Sequence, residues 1–263
     1  RIITSKGPVI GVIGSKPPHL LPKEEREKVL EIKDMFIDVG TQEKFDVKKR
    51  LGIKLGDPII PISDFTIMGN NKMYMSKAFD NRAACAIVVE IMRKFQKVSH
   101  PNTILGGASV QEEVGLRGAR VAAYQFDPEM AIAVDSTPAN DLPNWDKDIE
   151  NSRYNTRLDA GPAIYVMDGA TIGDQRLIHL LADTAEENGI PYQIRQPGPG
   201  GTDAGVIHKV RAGVPSVSVS VPSRYAHSAA GLARIDDWVN TVKLLHMALS
   251  QVSPELFAVE RRD

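Results

Sequence analysis

The sequence predicts an α/β chain, a mostly parallel sheet with helices on both faces, joined to a smaller β-rich module. Three observations carry this. From about Phe79 onward, segments with apolar residues at helical spacing alternate with short apolar runs of strand length. Before that point the texture differs, with short β-like runs broken by Pro and Gly. The composition, 42% hydrophobic and 25% charged over 263 residues, is that of a globular protein with room for one large domain, or a medium domain and a small one. The expected division is residues 1–75 and 76–263.

In the first part, residues 2–13 read as strand, turn at Lys6-Gly7-Pro8, and strand. Further β-like runs fall at 35–39, 59–68 and 73–75. The charged stretch 23–33 reads as a solvated face or loop. A helix is expected over 41–51, with Thr41 able to cap it. In the second part the first helix spans 80–95, with Ala84, Ile87, Val88, Ile91 and Phe95 on one face. A strand at 103–110, a helix at 115–126 and strands at 130–134 and 163–167 follow. The next helix, 174–188, is stopped by Gly189 and Pro191. A strand at 192–195, a helix at 203–210, a strand at 216–221 and a helix at 236–252 complete the pattern. Residues 136–162 are polar and long for a connection, which reads as a functional loop.

Several classes are excluded. Formal charge is −1 (32 basic, 33 acidic residues), which argues against nucleic acid as a partner. The longest apolar runs, 83–89 and 214–221, are far short of the roughly 20 residues a membrane span needs. The single cysteine, Cys85, cannot form an internal disulfide, which points to a reducing compartment, the cytoplasm. Within its apolar run it reads as a small core residue. The chain opens Arg1-Ile2-Ile3-Thr4, without Met or leader pattern, as if cut from a longer protein.

In open α/β sheets, ligands collect at the carboxyl ends of the strands. Ionisable residues crowd those expected ends: Asp80, Glu112, Glu113, Asp135, Asp203 and His227. So many carboxylates along one edge repel unless cations neutralise them. A pair of divalent ions would do so, one carboxylate bridging both, and would turn a bridging water into a hydroxide nucleophile near neutral pH. A further carboxylate, free of metal, would then carry the proton. The Glu112-Glu113 pair suits a split in which one residue faces the metal and the other the water. The Gly200-Gly201-Thr202 turn could cradle an anion or simply start a helix.

SKAFDNRAACA (76–86), SVQEEVGLRGA (109–119), AIAVDST (131–137), GGTDAG (200–205) and VPSRYAHS (221–228) stand in the order and spacing of the tetrahedral (TET) aminopeptidases, which the chain resembles over essentially its whole length. The resemblance implies a cobalt- or zinc-dependent enzyme with two divalent metal ions per subunit. Asp80 would bridge them, with a cis bond between Asp80 and Asn81. Glu113 and His227 would be terminal ligands of one ion and Asp135 of the other, and Glu112 the general acid/base. Gly201, Thr202 and Asp203 would lie beside the substrate's amino end. Residues 1–75 would be most of a small β-barrel dimerisation domain inserted in the catalytic domain, and dimers would assemble into a dodecamer.

Two departures stand out. The family's second ligand histidine lies in a His-x-Asp motif, and none of the six histidines here has Asp two residues on. The expectation is a fragment that begins after that motif, with the second metal site incomplete. The family's pattern after the ligand histidine is replaced by Ser228-Ala229-Ala230-Gly231. The function implied is removal of N-terminal residues from peptides by a metal-bridging hydroxide. The alternatives are a related metallohydrolase of another substrate class and an inactive assembly subunit.

Overall fold

The structure, a computed structural model, describes residues 1–14, 16–26, 28–142 and 156–257. Thirteen residues of the long loop expected at 136–162, namely 143–155, lie outside them. The chain divides into Arg1–Ile62 and Ser63–Asp263. The expected boundary at 75 therefore moves back, because residues 66–76 hold two strands of the large sheet.

In the first unit, β1 (Ile2–Thr4) and β2 (Gly7–Val9) form an antiparallel hairpin. Gly7 takes φ +113°, a conformation that side chains with a Cβ disfavour. Thr4 Oγ1 donates to Gly7 O at 2.7 Å and fixes the turn. β3 (Val12–Ile13) pairs with β4 (Ile37–Asp38). Among the described residues these are two separate two-stranded sheets, not a closed barrel. Between them α1 (Lys23–Arg26) is wholly exposed, as its charge pattern predicts. The helix expected at 41–51 is mainly a π-helical turn, Asp46–Arg50. Thr41 binds Asp46 Oδ2 at 3.0 Å rather than capping a long helix.

The second unit is built on seven strands: β5 (Thr66–Ile67), β6 (Met73–Ser76), β7 (Ala131–Pro138), β8 (Ala163–Tyr165), β9 (Gln193–Arg195), β10 (Ser216–Arg224) and β11 (Gly231–Arg234). The order is β5-β6-β11-β10-β8-β9, and β7 pairs along eight residues of β10. Among the described residues only β7 with β10 and β8 with β9 run parallel. The other four pairings are antiparallel, so the sheet is mixed rather than mostly parallel. The cause is local. A tight turn at 225–230 folds β11 back on β10, and β6 and β5 add to it antiparallel. β11 is four residues long and follows a run of small residues, a signal too weak to read as a strand.

The helices are α2 (Phe79–Phe95), α3 (Arg117–Phe126), α4 (Gln175–Glu187), α5 (Ala204–Ile207) and α6 (Ile235–Gln251). Asp174 caps α4 through the Arg176 N–H. β10 explains how both faces are covered. Its valines Val217, Val219 and Val221 join a core with Ile87 and Ile91 of α2, Leu177 and Leu181 of α4, and Leu244 and Leu245 of α6. Ser216, Ser218 and Ser220 point the other way. There Ser218 Oγ lies 2.6 Å from Thr202 Oγ1, at the entry to α5. The expected helix 203–210 is reduced to that single turn. Ser216, Ser218 and Ser220 are all buried, so the face beneath the site is polar rather than greasy.

Two expectations fail near α2. Residues 103–109 make no strand and no backbone–backbone hydrogen bond among the described residues. The adjacent Gly106-Gly107 weakens any local preference for a strand. Cys85 is exposed, not in the core. Both follow from a cavity of about 1170 Å³ between residues 101–109, α2 and β7.

Candidate metal centre and active site

Three local structures bring the acidic residues together. The first is the entry to α2. Ala78 is left-handed (φ 55°), Asp80 and Asn81 depart from helical geometry, and the Asp80–Asn81 bond is cis, as the resemblance implies. Asn81 Nδ2 donates to Val134 O at 3.1 Å, which ties this entry to β7 one residue before Asp135.

The second is the turn after residue 110. Gln111 and Leu116 take positive φ (59° and 56°), and Gly115 takes 119°. Glu112 O accepts from the N–H groups of Gly115 and Leu116 at 3.0 and 2.8 Å. Gly118 N donates to Val110 O at 2.9 Å. A Cβ on Gly118 would stand 2.4 Å from Val110 N, so this approach requires glycine. The turn holds Glu112 and Glu113 at the carboxyl end of the sheet.

The third is the β10–β11 turn. Tyr225 and His227 are left-handed (φ 60° and 58°), and Ser228 Oγ donates to Tyr225 O at 2.7 Å. The departure Ser228-Ala229-Ala230-Gly231 is the path from this turn into β11.

His227 Nε2 lies 3.0 Å from Asp80 Oδ2 and 3.5 Å from Glu113 Oε2. One ligand atom from each of the three lies within 4.8 Å of the others, a carboxylate–carboxylate–imidazole set that suits a divalent ion. Asp135 stands outside this triangle. It is 9% exposed on β7, and the Ser136 N–H donates to its Oδ1 at 2.7 Å. Burial pushes the Asp135 carboxyl up to about 8, and the charges of Asp80, Glu112 and Asp203 add to the rise against the Ser136 N–H. Glu112 is raised to about 7, first by burial and then by Asp203, Glu113 and Asp80. Asp80 is raised by burial and Glu113, opposed by His227. A cluster whose members raise one another's proton affinity is one a cation would discharge.

The residues expected beside the substrate's amino end behave differently from one another. Thr202 is 2% exposed and its hydroxyl is turned onto Ser218, so it contributes structure. Gly201 packs where a Cβ would meet Ala170 Cβ at 2.7 Å. Asp203 faces the cluster: its charge is felt by both Glu112 and Asp135. Its Oδ2 accepts from Ser109 Oγ at 2.6 Å, while Oδ1 is buried without a partner among the described residues. Asn81 and Ser109 are the residues the sequence reading passed over. Their only signal was position, one beside Asp80 and the other opening the segment that carries Glu112 and Glu113.

Residues 1–244 match the M42 glutamyl aminopeptidase family. The glutamyl aminopeptidase of Lactococcus lactis subsp. cremoris is 34% identical over 98% of this chain and 70% of its own length. The crystal structure of a TET aminopeptidase from the marine sediment archaeon Thaumarchaeota archaeon SCGC AB-539-E09 superposes with a TM-score of 0.90 at 40% identity, over 97% of this chain and 70% of that one. The Pyrococcus horikoshii TET1 peptidase, described as assembling into a tetrahedron or a large octahedral shell, gives 0.80 at 28% identity over 95% and 71%.

Proposed function

The chain belongs to the M42 glutamyl aminopeptidase family, and from that premise we propose that it removes N-terminal residues from peptides at a two-metal centre. The observation that carries this is the convergence of Asp80, Glu113 and His227 from three separate turns onto one ligand triangle. Asp135 is buried, and the charge of Asp80 adds to the rise of its carboxyl. In this reading Asp80, Glu113 and His227 would hold one ion, and Asp135 would contribute to a second site whose histidine ligand is missing from this sequence. Bound zinc or cobalt would acidify water and polarise the scissile carbonyl.

The chain's own residues supply the rest. Glu112 stands outside the ligand triangle and its carboxyl is raised to about 7. It takes the proton of the attacking water and returns it to the leaving amine, and a pKa near the working pH suits both transfers. Asp203, a carboxylate held by Ser109 at the edge of the cluster, receives the substrate's N-terminal ammonium. Thr202 and Gly201 fix the loop that presents it. The test is a pair of substrates: an aminoacyl nitroanilide and the same compound acetylated on its amine. Cleavage of the free amine alone, abolished by a chelator, is expected. Equal cleavage of both would point to another metallohydrolase class.

Self-assembly is the second part of the reading. Residues 1–62 expose the large apolar side chains Ile10, Val12, Ile13 and Phe36. This supports a dimerisation role within a twelve-subunit particle. Mass photometry of the protein is expected to show that particle, and a lone monomer would end the assembly role. The place of action is proposed as the cytoplasm, on the single unpaired cysteine. No described helix is long and apolar enough to cross a membrane.

A further inference from the structure

β8 leaves the sheet through a hairpin at 166–173 that leads into α4. Two backbone bonds close it: Gly173 N donates to Val166 O and Asp168 N to Thr171 O, each at 2.9 Å. At its tip Asp168 Oδ1 accepts from the N–H groups of Ala170 and Thr171, at 2.8 and 2.7 Å. An aspartate bonded to its own backbone two and three residues on fixes its turn locally. Asp168 and Thr171 are both buried, so water competes little for these bonds.

This tip is seated on the loop 200–205, which carries Asp203. Gly169 N donates to Gly200 O at 2.8 Å. The two backbones approach so closely that a Cβ on Gly169 would stand 2.6 Å from that oxygen. The methyl of Ala170 covers two further glycines: a Cβ on Gly201 would stand 2.7 Å from it, and a Cβ on Gly205 2.6 Å. Neither Gly201 nor Gly205 is left-handed, so it is the contact with Ala170, not the backbone conformation, that calls for glycine. The added atom on Gly205 would also lie 3.2 Å from Leu116 Cδ1. Leu116 belongs to the turn that holds Glu112 and Glu113. Asp203 thus sits between two glycines gripped by one methyl, with Ser109 Oγ on its Oδ2 at 2.6 Å.

Resting on the reading of Asp203 as the receiver of the substrate's ammonium, we propose that Ala170 is a lock that aims this carboxylate. Its methyl fixes the 200–205 loop against the hairpin, and Asp168 fixes the methyl. Both act through Asp203 and are positioning residues. A displacement of about 1 Å in a positioned group can cost about 100-fold, so the fit at this contact reaches the reaction.

One methyl can be moved across the contact. The wild type has one there, Gly201→Ala two, and Gly201→Ala with Ala170→Gly one again, now carried by the loop. KM and kcat are measured on an aminoacyl nitroanilide, with metal content by elemental analysis and thermal midpoints on the same samples. Gly201→Ala is expected to keep its metal and to raise KM at least about tenfold, far more than it lowers kcat, as loss of a binding contact does. Adding Ala170→Gly is expected to return KM to within about threefold of wild type. A wild-type KM in Gly201→Ala, or a raised KM that Ala170→Gly does not relieve, overturns the lock. Should Gly201→Ala fail to fold, the double variant decides: folded with near-wild-type KM supports the lock, and unfolded overturns it. If the wild type leaves the free amine uncut, or cuts the acetylated compound equally, the aminopeptidase reading falls and the midpoints decide the lock. Recovery of the midpoint in the double variant then upholds it, and no recovery overturns it.

Discussion

Among single residues, the roles divide by what each oxygen touches. Asp80 Oδ2 and Glu113 Oε2 both contact His227 Nε2, whereas Glu112 does not belong to the ligand triangle. Glu112→Gln keeps the side chain's shape and removes its ability to accept a proton. It is expected to retain its metal by elemental analysis while kcat falls by at least about 100-fold, the usual contribution of a general base. Unchanged turnover would remove Glu112 from the reaction. Asp80→Asn is expected to show the opposite pattern, with metal lost at equilibrium dialysis, because one residue serves both ligand groups. That Asp80, Glu113 and His227 come together was legible because ionisable residues crowding the expected strand ends are hard to explain otherwise. What was not legible is the difference within Gly201-Thr202-Asp203. Three adjacent residues read as one motif, yet the Thr202 hydroxyl turns to Ser218 and only Asp203 faces the cluster. A buried hydroxyl and a site-facing carboxylate give the same letters in a row, and only the partner strand, β10, separates them.

Among elements, the turns do the positioning and the strands carry the load. The segment from Val110 to Gly118 has no room for a side chain at its closing residue, where a Cβ would meet Val110 N at 2.4 Å and Val110 O at 2.6 Å. Gly118→Ala therefore forces the turn open and carries Glu112 and Glu113 with it. It is expected to destabilise the unit on the order of 1–3 kcal/mol by overpacking, read as a lower thermal midpoint, and to weaken metal affinity in parallel. An Ala variant with wild-type midpoint and wild-type metal affinity would show that the turn has slack. Helices α2, α4 and α6 were legible from their apolar spacing, since each buries one face against the valines of β10. The direction of the strands was not. Alternating helix and strand patterns imply parallel crossovers, but β11 is four residues of Gly-Leu-Ala-Arg with no strand signature, and it is this hairpin that turns half the sheet antiparallel. The segment 103–109 reads as a strand in sequence, yet it makes no backbone–backbone hydrogen bond among the described residues.

In the molecule as a whole, the acidic centre sets how stability depends on pH. Glu112 and Asp135 carry folded-state values of about 7 and about 8, raised chiefly by burial above the usual carboxylate range. A raised value means the folded chain holds protons that the unfolded chain has already released. The unfolded state therefore binds fewer protons across that interval, and stability falls as pH rises. In chelator, the thermal midpoint of the protein is expected to drop steadily from about pH 5, just above the unfolded carboxylate range, to about pH 9, and to level off once both groups are ionised in the folded state. Metal reverses the trend. Its ligands bind as carboxylates and neutral imidazole, so each ion competes with protons and gains affinity as they leave. Free ion at 100 times its dissociation constant adds about 2.7 kcal/mol. Across the same pH range the gap between metal-loaded and chelated midpoints is thus expected to widen. Calorimetry with cobalt or zinc against chelator at several pH values measures it directly. A gap that stays flat or narrows would mean that these carboxylates are not what the ion binds, and would return Asp80, Glu113 and Asp135 to structural roles.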